Sequence, residues 1–439
     1  MARRRRLYTN ARLLDPATGL DVKGALLTEG ARILDLGPRL ANSSIGGETE
    51  TIDCQGHCLS PGLIDMHVWL REPGAEHQET IATGARAAAA GGVTTLVAMP
   101  NTDPVVDEVA LLEFVARRAA ENAVVRVLPA AAATKGTQGK EMTEFGLLAQ
   151  AGAVAFTDGE RPIADSRVMR RALSYATIFD LLLMQACEEP SLARDGVMNE
   201  GEVAARLGLS GIPSVAEAIQ LERDIRLLEL TNSRMHAAHI STADAIDVAR
   251  RAKAQGLRLT AGAAPHNFAL NEYDIGDYRT FAKVKPPLRR EDDRSALVDA
   301  IADGTIDTIS SLHMPQDPES KRLPFAQAEF GAIGLETLLP MCLGLYHNGR
   351  VPLLRVLGCL TINPARLLKQ ESGRLAPGAP ADLLVFDLDT PWIVDEKKIR
   401  SKAKNTPYHG RRVQGHALRT VVGGETVFQR KREGAPVNA

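Results

Sequence analysis

The sequence predicts an α/β protein: a (β/α)8 TIM-type barrel joined to a small β domain built from both chain termini. Three observations predict it. The middle of the chain, about 61 to 370, alternates eight apolar strand-like runs with helix-like stretches. The first sixty residues and the last seventy carry short strand-like runs between Gly, Pro and Asp breaks. The length, 439 residues, exceeds one ordinary domain but suits a barrel with a smaller partner. The expected domains are therefore 1–60 with 371–439, and 61–370.

In chain order, LYTNARLLD, GALLTEG and ARILDLG supply the N-terminal strands. The eight barrel strands are GLIDMHVWL, VTTLVAMP, VVRVLPAAA, AVAFTD, DLLLMQA, MHAAHIS, LRLTAGAAP and TIDTISS. Between them lie helical stretches such as ETIATGARAAAAGG, SRVMRRALSYAT, VAEAIQLERDIRLLELT and TADAIDVARRAKAQ. The third of these reads as an outer helix with a solvated face. ADLLVFDLD and HALRTVVGGETVF return to strand character at the C-terminus.

Composition narrows the partners. Hydrophobic residues make up 44%, enough for a large core, and the net charge of −2 argues against nucleic acid or an anionic membrane. Arg3 to Arg6 read as a solvated basic tail; no apolar segment follows them to make a secretory signal. No run has the apolar length of a membrane helix. Five scattered cysteines fit a reducing compartment, so the expected location is cytoplasmic. Cys54, His57 and Cys58 lie close together, but zinc would need further ligands that the neighbourhood lacks.

In such a barrel the chemistry sits at the C-terminal ends of the strands. PGLIDM followed by His-x-His is how many metal hydrolases open their active site, yet here the second position is Trp69. Side chains two apart on a strand share a face, so His67 and Trp69 point the same way. An indole nitrogen carries a hydrogen and has no lone pair to offer a metal. The other strand ends bring Arg71 and Glu72, then Asn101, Asp158 with Gly159, and Ala186 with Cys187, Glu188 and Glu189. After these come His236 and His239, His266 with Asn267, Lys285, and Leu312 with His313 and Gln316.

These landmarks, with ARAAAAGGVTTLVAMPNTDPV, GAVAFTDGERP, HISTADAI, KPPLR, GAIGLET, NPARLL, GAPADLLVFD and NTPYHG, resemble the dihydroorotases of the amidohydrolase superfamily along nearly the whole chain. The resemblance implies a barrel of the amidohydrolase kind, a composite β domain, a zinc centre and a place in de novo pyrimidine (UMP) biosynthesis. It also marks departures. Of the family's six metal-site positions His67 and His239 are kept, while Trp69, Gly159, Ala186 and Leu312 stand at the other four. A shift of one residue would let Asp158 serve in place of Gly159. The position of Leu312 is also that of the family's general base. Arg71 and Asn101 match residues that hold the substrate carboxylate; Lys285 and Gln316 replace an asparagine and a histidine of the same shell.

From these replacements the chain is expected to be a non-catalytic homologue, with no catalytic residue, no resident metal and no cofactor. It specifically resembles inactive dihydroorotases that assemble with aspartate carbamoyltransferase. The expected partner is therefore that enzyme's catalytic chain, in a homo- or hetero-oligomer. Then His67, His239, His236 and His313 are hydrogen-bonded barrel histidines, Trp69 fills the former metal cavity, and Arg71 either holds a small carboxylate with Asn101 or pairs with an acid such as Glu188. The alternative is an active zinc-dependent dihydroorotase, or another cyclic amidohydrolase with a centre rebuilt from His67, His239, Asp158 and Glu188 or His313. A third reading is a sensor that captures dihydroorotate or carbamoyl aspartate at Arg71 and Asn101.

Overall fold

The computed structural model describes residues 4 to 42 and 48 to 431. Five strands come first: β1 (Arg5–Asp15), β2 (Leu20–Glu29), β3 (Arg32–Gly37), β4 (Thr49–Asp53) and β5 (Cys58–Pro61). The barrel region holds β6 (Leu63–Val68), β7 (Val93–Ala98), β8 (Arg126–Pro129), β9 (Leu183–Gln185), the short pair β10 (Met198–Asn199) and β11 (Gly211–Ile212), then β12 (Met235–Ala237), β13 (Leu259–Ala263) and β14 (Thr308–Ile309). β15 (Leu383–Ile393), β16 (Arg412–Val422) and β17 (Glu425–Gln429) end the chain.

The terminal strands form one eight-stranded sheet in the order β17-β16-β15-β5-β1-β2-β3, with β4 on β1. N-terminal and C-terminal halves meet where β15 pairs antiparallel with β5. Its core gathers Tyr8, Leu13, Leu26, Ile33, Leu59, Leu383 and Val421.

In the barrel, β6 to β8 and β9, β12, β13 and β14 are parallel ladders. Phe156 bridges both Ala131 and Leu183, supplying the fourth staves between the two ladders. Closure comes from the Val68–His313 bridge and from Trp69 N donating to His313 O at 2.9 Å. Asp65 reinforces the seam by accepting from Ser311 N at 3.2 Å. Every residue of β6 and β7 is buried, as expected for parallel strands covered on both faces. The alanine-rich helix Ile81–Ala90 starts at a Thr80–Thr83 capping box, and its small side chains let β16 approach until Thr420 Oγ1 donates to Ala89 O at 2.7 Å.

Two local expectations are corrected. The arginines at the N-terminus are not a free tail. Arg3 lies outside the described residues, but Arg4 pairs with Glu50, Arg5 with Glu29, and buried Arg6 with Glu50 and Glu425. Arg5 and Arg6 open β1, and the partners of all three come from distant sequence. The helix Val215–Thr231 is not simply amphipathic either: it buries Glu217, Gln220 and Asp224 beside its apolar residues. Among the described residues no helix is long and apolar enough to cross a membrane. All five cysteines are buried and unpaired, and burial pushes the Cys54 and Cys58 thiols up to about 12, which keeps them protonated.

Candidate functional site

The C-terminal ends of the barrel strands surround a small cavity that opens into a wider mouth. His67, at the end of β6, stands between Trp69 and His239: the ring centroids are 4.8 Å and 4.5 Å away. Trp69 is 2% exposed and Leu312 4%, and both belong to one apolar cluster with Ile64, Met66, Met184 and Met314. Apolar area therefore occupies the centre of the strand ends. Burial, then neighbouring His236, pushes the His67 imidazole down to about 3; burial holds His239 well below its ordinary value. Both rings are neutral at pH 7. His239 Nε2 has no hydrogen-bond partner among the described residues.

The other strand ends fall into place around this pair. Ala186 offers no polar atom. Gly159 has φ +68° and a Cβ there would collide with Asn101 Oδ1, so the turn admits only glycine without rearrangement. Asp158 does not substitute for it. Its carboxylate turns out of the cavity wall, accepting from Thr134 N at 2.8 Å and from Thr134 Oγ1. Burial raises it to about 6 against those bonds. Asn101 donates to Asp158 O at 3.0 Å and does not line the mouth, whereas Arg71 does.

Arg71 does not pair with Glu188; its Nε donates to Pro315 O at 3.2 Å, and Glu72 pairs with Arg118 instead. Glu188 pairs with Lys285, at 2.7 Å, at the junction of cavity and mouth. His236 hydrogen-bonds Thr260 at 2.9 Å, and His313 accepts from Gly334 N at 3.2 Å while lying 3.5 Å from Glu79, so both support the barrel wall. Gln316 is spent on Phe330 O. Three charged wall residues escaped the sequence reading: Glu160, Glu217 and Arg289. Arg289 is the arginine of KPPLR, visible only as a landmark, and Glu217 sits on a helix whose charges read as solvated.

The donor set does not fit the family's zinc pair. Two neutral imidazoles are present, but Trp69, Gly159, Ala186 and Leu312 offer no side-chain lone pair for a metal, and Asp158 faces away. Among the described residues no group of three or more His, Cys, Asp or Glu is arranged to hold a metal ion. Trp69→His is accordingly expected to add no stoichiometric zinc by elemental analysis, and to lower stability by about 2 kcal/mol through lost apolar packing; zinc uptake near one equivalent would refute the geometry.

The fold and the ring of strand ends define an amidohydrolase barrel with its composite β domain. Its structure is similar to that of the L-hydantoinase from Arthrobacter aurescens, with a TM-score of 0.88 and 23% identity over 98% of this chain and 97% of that one. The dihydropyrimidinase from Brevibacillus agri gives a TM-score of 0.83 at 20% identity, over 97% and 95%. Residues 56–245 match the dihydro-orotase-like family and 344–428 the amidohydrolase family. Within that class the chain belongs to the dihydroorotase family. It is 45% identical to the dihydroorotase of Anaplasma phagocytophilum over 96% of this chain and 95% of that protein, and 44% identical to that of Syntrophotalea carbinolica over 96% and 99%.

These relatives carry the name of an enzyme, at 43–45% identity along nearly the full length, and this overturns the expectation of a non-catalytic chain. That expectation counted the replaced positions, Trp69, Gly159, Ala186 and Leu312, and passed from lost ligands to lost chemistry. The step does not hold physically, because other ionisable groups, Glu188 and Lys285 foremost, face the same cavity.

Proposed function

We propose that the chain is a dihydroorotase of pyrimidine biosynthesis whose centre is rebuilt around the Glu188–Lys285 pair. The observation that carries the reading is this ion pair, 2.7 Å long, facing both cavity and mouth in a chain whose relatives are named dihydroorotase. The ligand is dihydroorotate or its ring-opened form, carbamoyl aspartate. Arg71 supplies positive charge at the mouth for its carboxylate. Glu188 takes a proton from the water that adds to the ring amide carbonyl and returns it to the ring nitrogen as the C–N bond breaks, while the Lys285 ammonium faces the oxyanion that develops on the carbonyl oxygen. The neutral rings of His67 and His239 each offer one donor and one acceptor to the bound ring.

The test is dihydroorotate hydrolysis, and the reverse cyclisation, by the purified chain beside Glu188→Gln. A loss of at least about a hundredfold in kcat is expected for that variant, the usual size of a general-base effect. Equal rates for the two proteins, or a wild-type rate no greater than buffer, would sink the proposal.

The same reading includes a cytoplasmic location and assembly with the aspartate carbamoyltransferase catalytic chain. The exposed apolar side chains Leu147, Ile178 and Phe179 on the barrel exterior support a protein partner. Light scattering on the mixed proteins should report a mass above either alone; separate elution at micromolar concentration counts against it.

A further inference from the structure

A second cleft, of about 690 Å³, lies where the helix Leu338–His347 packs on β16. Its floor is apolar and buried, made by Phe268, Val298, Met341, Leu345 and Val413. Its rim carries four arginines, Arg294, Arg350, Arg411 and Arg412, with His347, and no aspartate or glutamate lines it. Two of the four are already compensated from outside: Arg294 by Glu291, and Arg350 by Asp299 at 2.7 Å. Arg411 and Arg412 have no carboxylate partner among the described residues. In a chain of net charge −2 this leaves a local excess of positive charge over an apolar pocket.

We infer that this cleft binds a nucleoside polyphosphate, its base on the apolar floor and its phosphates on Arg411 and Arg412. The guanidinium fork matches phosphate oxygens in a bidentate way, and its plane stacks on flat rings. A simple carboxylate would leave one guanidinium and the whole floor unused. The ligand that satisfies every part carries two or more negative charges at one end and a flat apolar body at the other. The volume lies within the range of small-molecule sites. Occupancy would tie the barrel helix to the β domain across a seam where His347 Nε2 already contacts Leu388 O at 2.9 Å. The inference is independent of the chemistry at the barrel mouth.

Titration calorimetry on the full chain tests it, with ATP, UTP, sodium triphosphate and uridine as probes. At least one nucleotide should bind about tenfold or more tighter than sodium triphosphate and uridine. Arg411→Gln combined with Arg412→Gln should weaken that binding by about tenfold or more, while Arg71→Gln at the barrel mouth leaves it unchanged. Both replaced arginines are exposed, so the double variant should keep the wild-type melting temperature. The inference is overturned if neither nucleotide binds at about 1 mM, if the folded double variant binds as well as wild type, or if sodium triphosphate binds as tightly as the nucleotides.

Discussion

Arg289→Met is expected to lower the unfolding free energy by about 3–5 kcal/mol in urea titrations, the usual cost of breaking a buried ion pair from one side. Arg289 is 2% exposed and Glu217 1%, and their charged groups lie 3.6 Å apart. Arg289 also donates to Ser241 Oγ at 3.1 Å and to Asn199 Oδ1 at 3.0 Å. Glu217 accepts from the backbone and hydroxyl of both Ser241 and Thr242, at 2.6 to 3.1 Å. Burial raises the Glu217 pKa while Arg289 and these donors oppose the rise, so removing the guanidinium strands a carboxylate inside the wall. Adding Glu217→Gln to Arg289→Met should cost less than the two single losses combined, because the stranded charge is gone. A loss under about 1 kcal/mol for Arg289→Met would show the pair to be solvated.

The second large effect is acid unfolding. Burial pushes His67, His236 and His266 down to about 3, against about 6.5 in an unfolded chain. The stability they contribute is fully present above about pH 6.5 and lost as pH falls toward 3, because the unfolded chain binds the extra protons. Buried carboxyls act in the opposite sense. Asp65 and Asp158 are raised to about 6, Asp224 and Glu336 to about 7, all by burial first. Their contribution is present below about pH 4 and lost as pH rises through 6 to 7. The two sets offset each other between about pH 4 and 6. Below that window the carboxyl contribution levels off while the imidazoles keep losing. Calorimetric melting from pH 8 to 3 should therefore show a plateau near pH 4 to 6, a mild decline above it, and a loss of a few kcal/mol per unit below pH 4. A stability that keeps rising below pH 4 would mean the imidazoles are solvated.

The barrel was legible because strands buried on both faces leave unbroken apolar runs between helix signals. Trp69 was legible as a packing residue because an indole offers no lone pair to a metal and carries a large apolar surface. What escaped depends on contacts that local periodicity does not encode. The N-terminal arginines read as a tail because Glu50 and Glu425 lie far along the chain. Glu217 read as solvated because Ser241 and Arg289 reach it from other βα units. The orientation of Asp158 is set by Thr134, a neighbour only in the folded barrel. The activity was misjudged for a related reason: Glu188 and Lys285 were both visible at strand ends, but their pairing across the cavity joins two distant segments and exists only in the folded barrel.

The order of the terminal sheet also dictates a timetable for synthesis. β5 can join β1 as soon as both leave the ribosome, but its other neighbour, β15, begins about 320 residues later. At ordinary translation rates that interval lasts tens of seconds, during which the outer edge of β5 stays open with its backbone donors and acceptors unpaired. The nascent chain is thus a natural client for chaperones, and a message truncated before Leu383 would release a product with a permanently open, aggregation-prone edge.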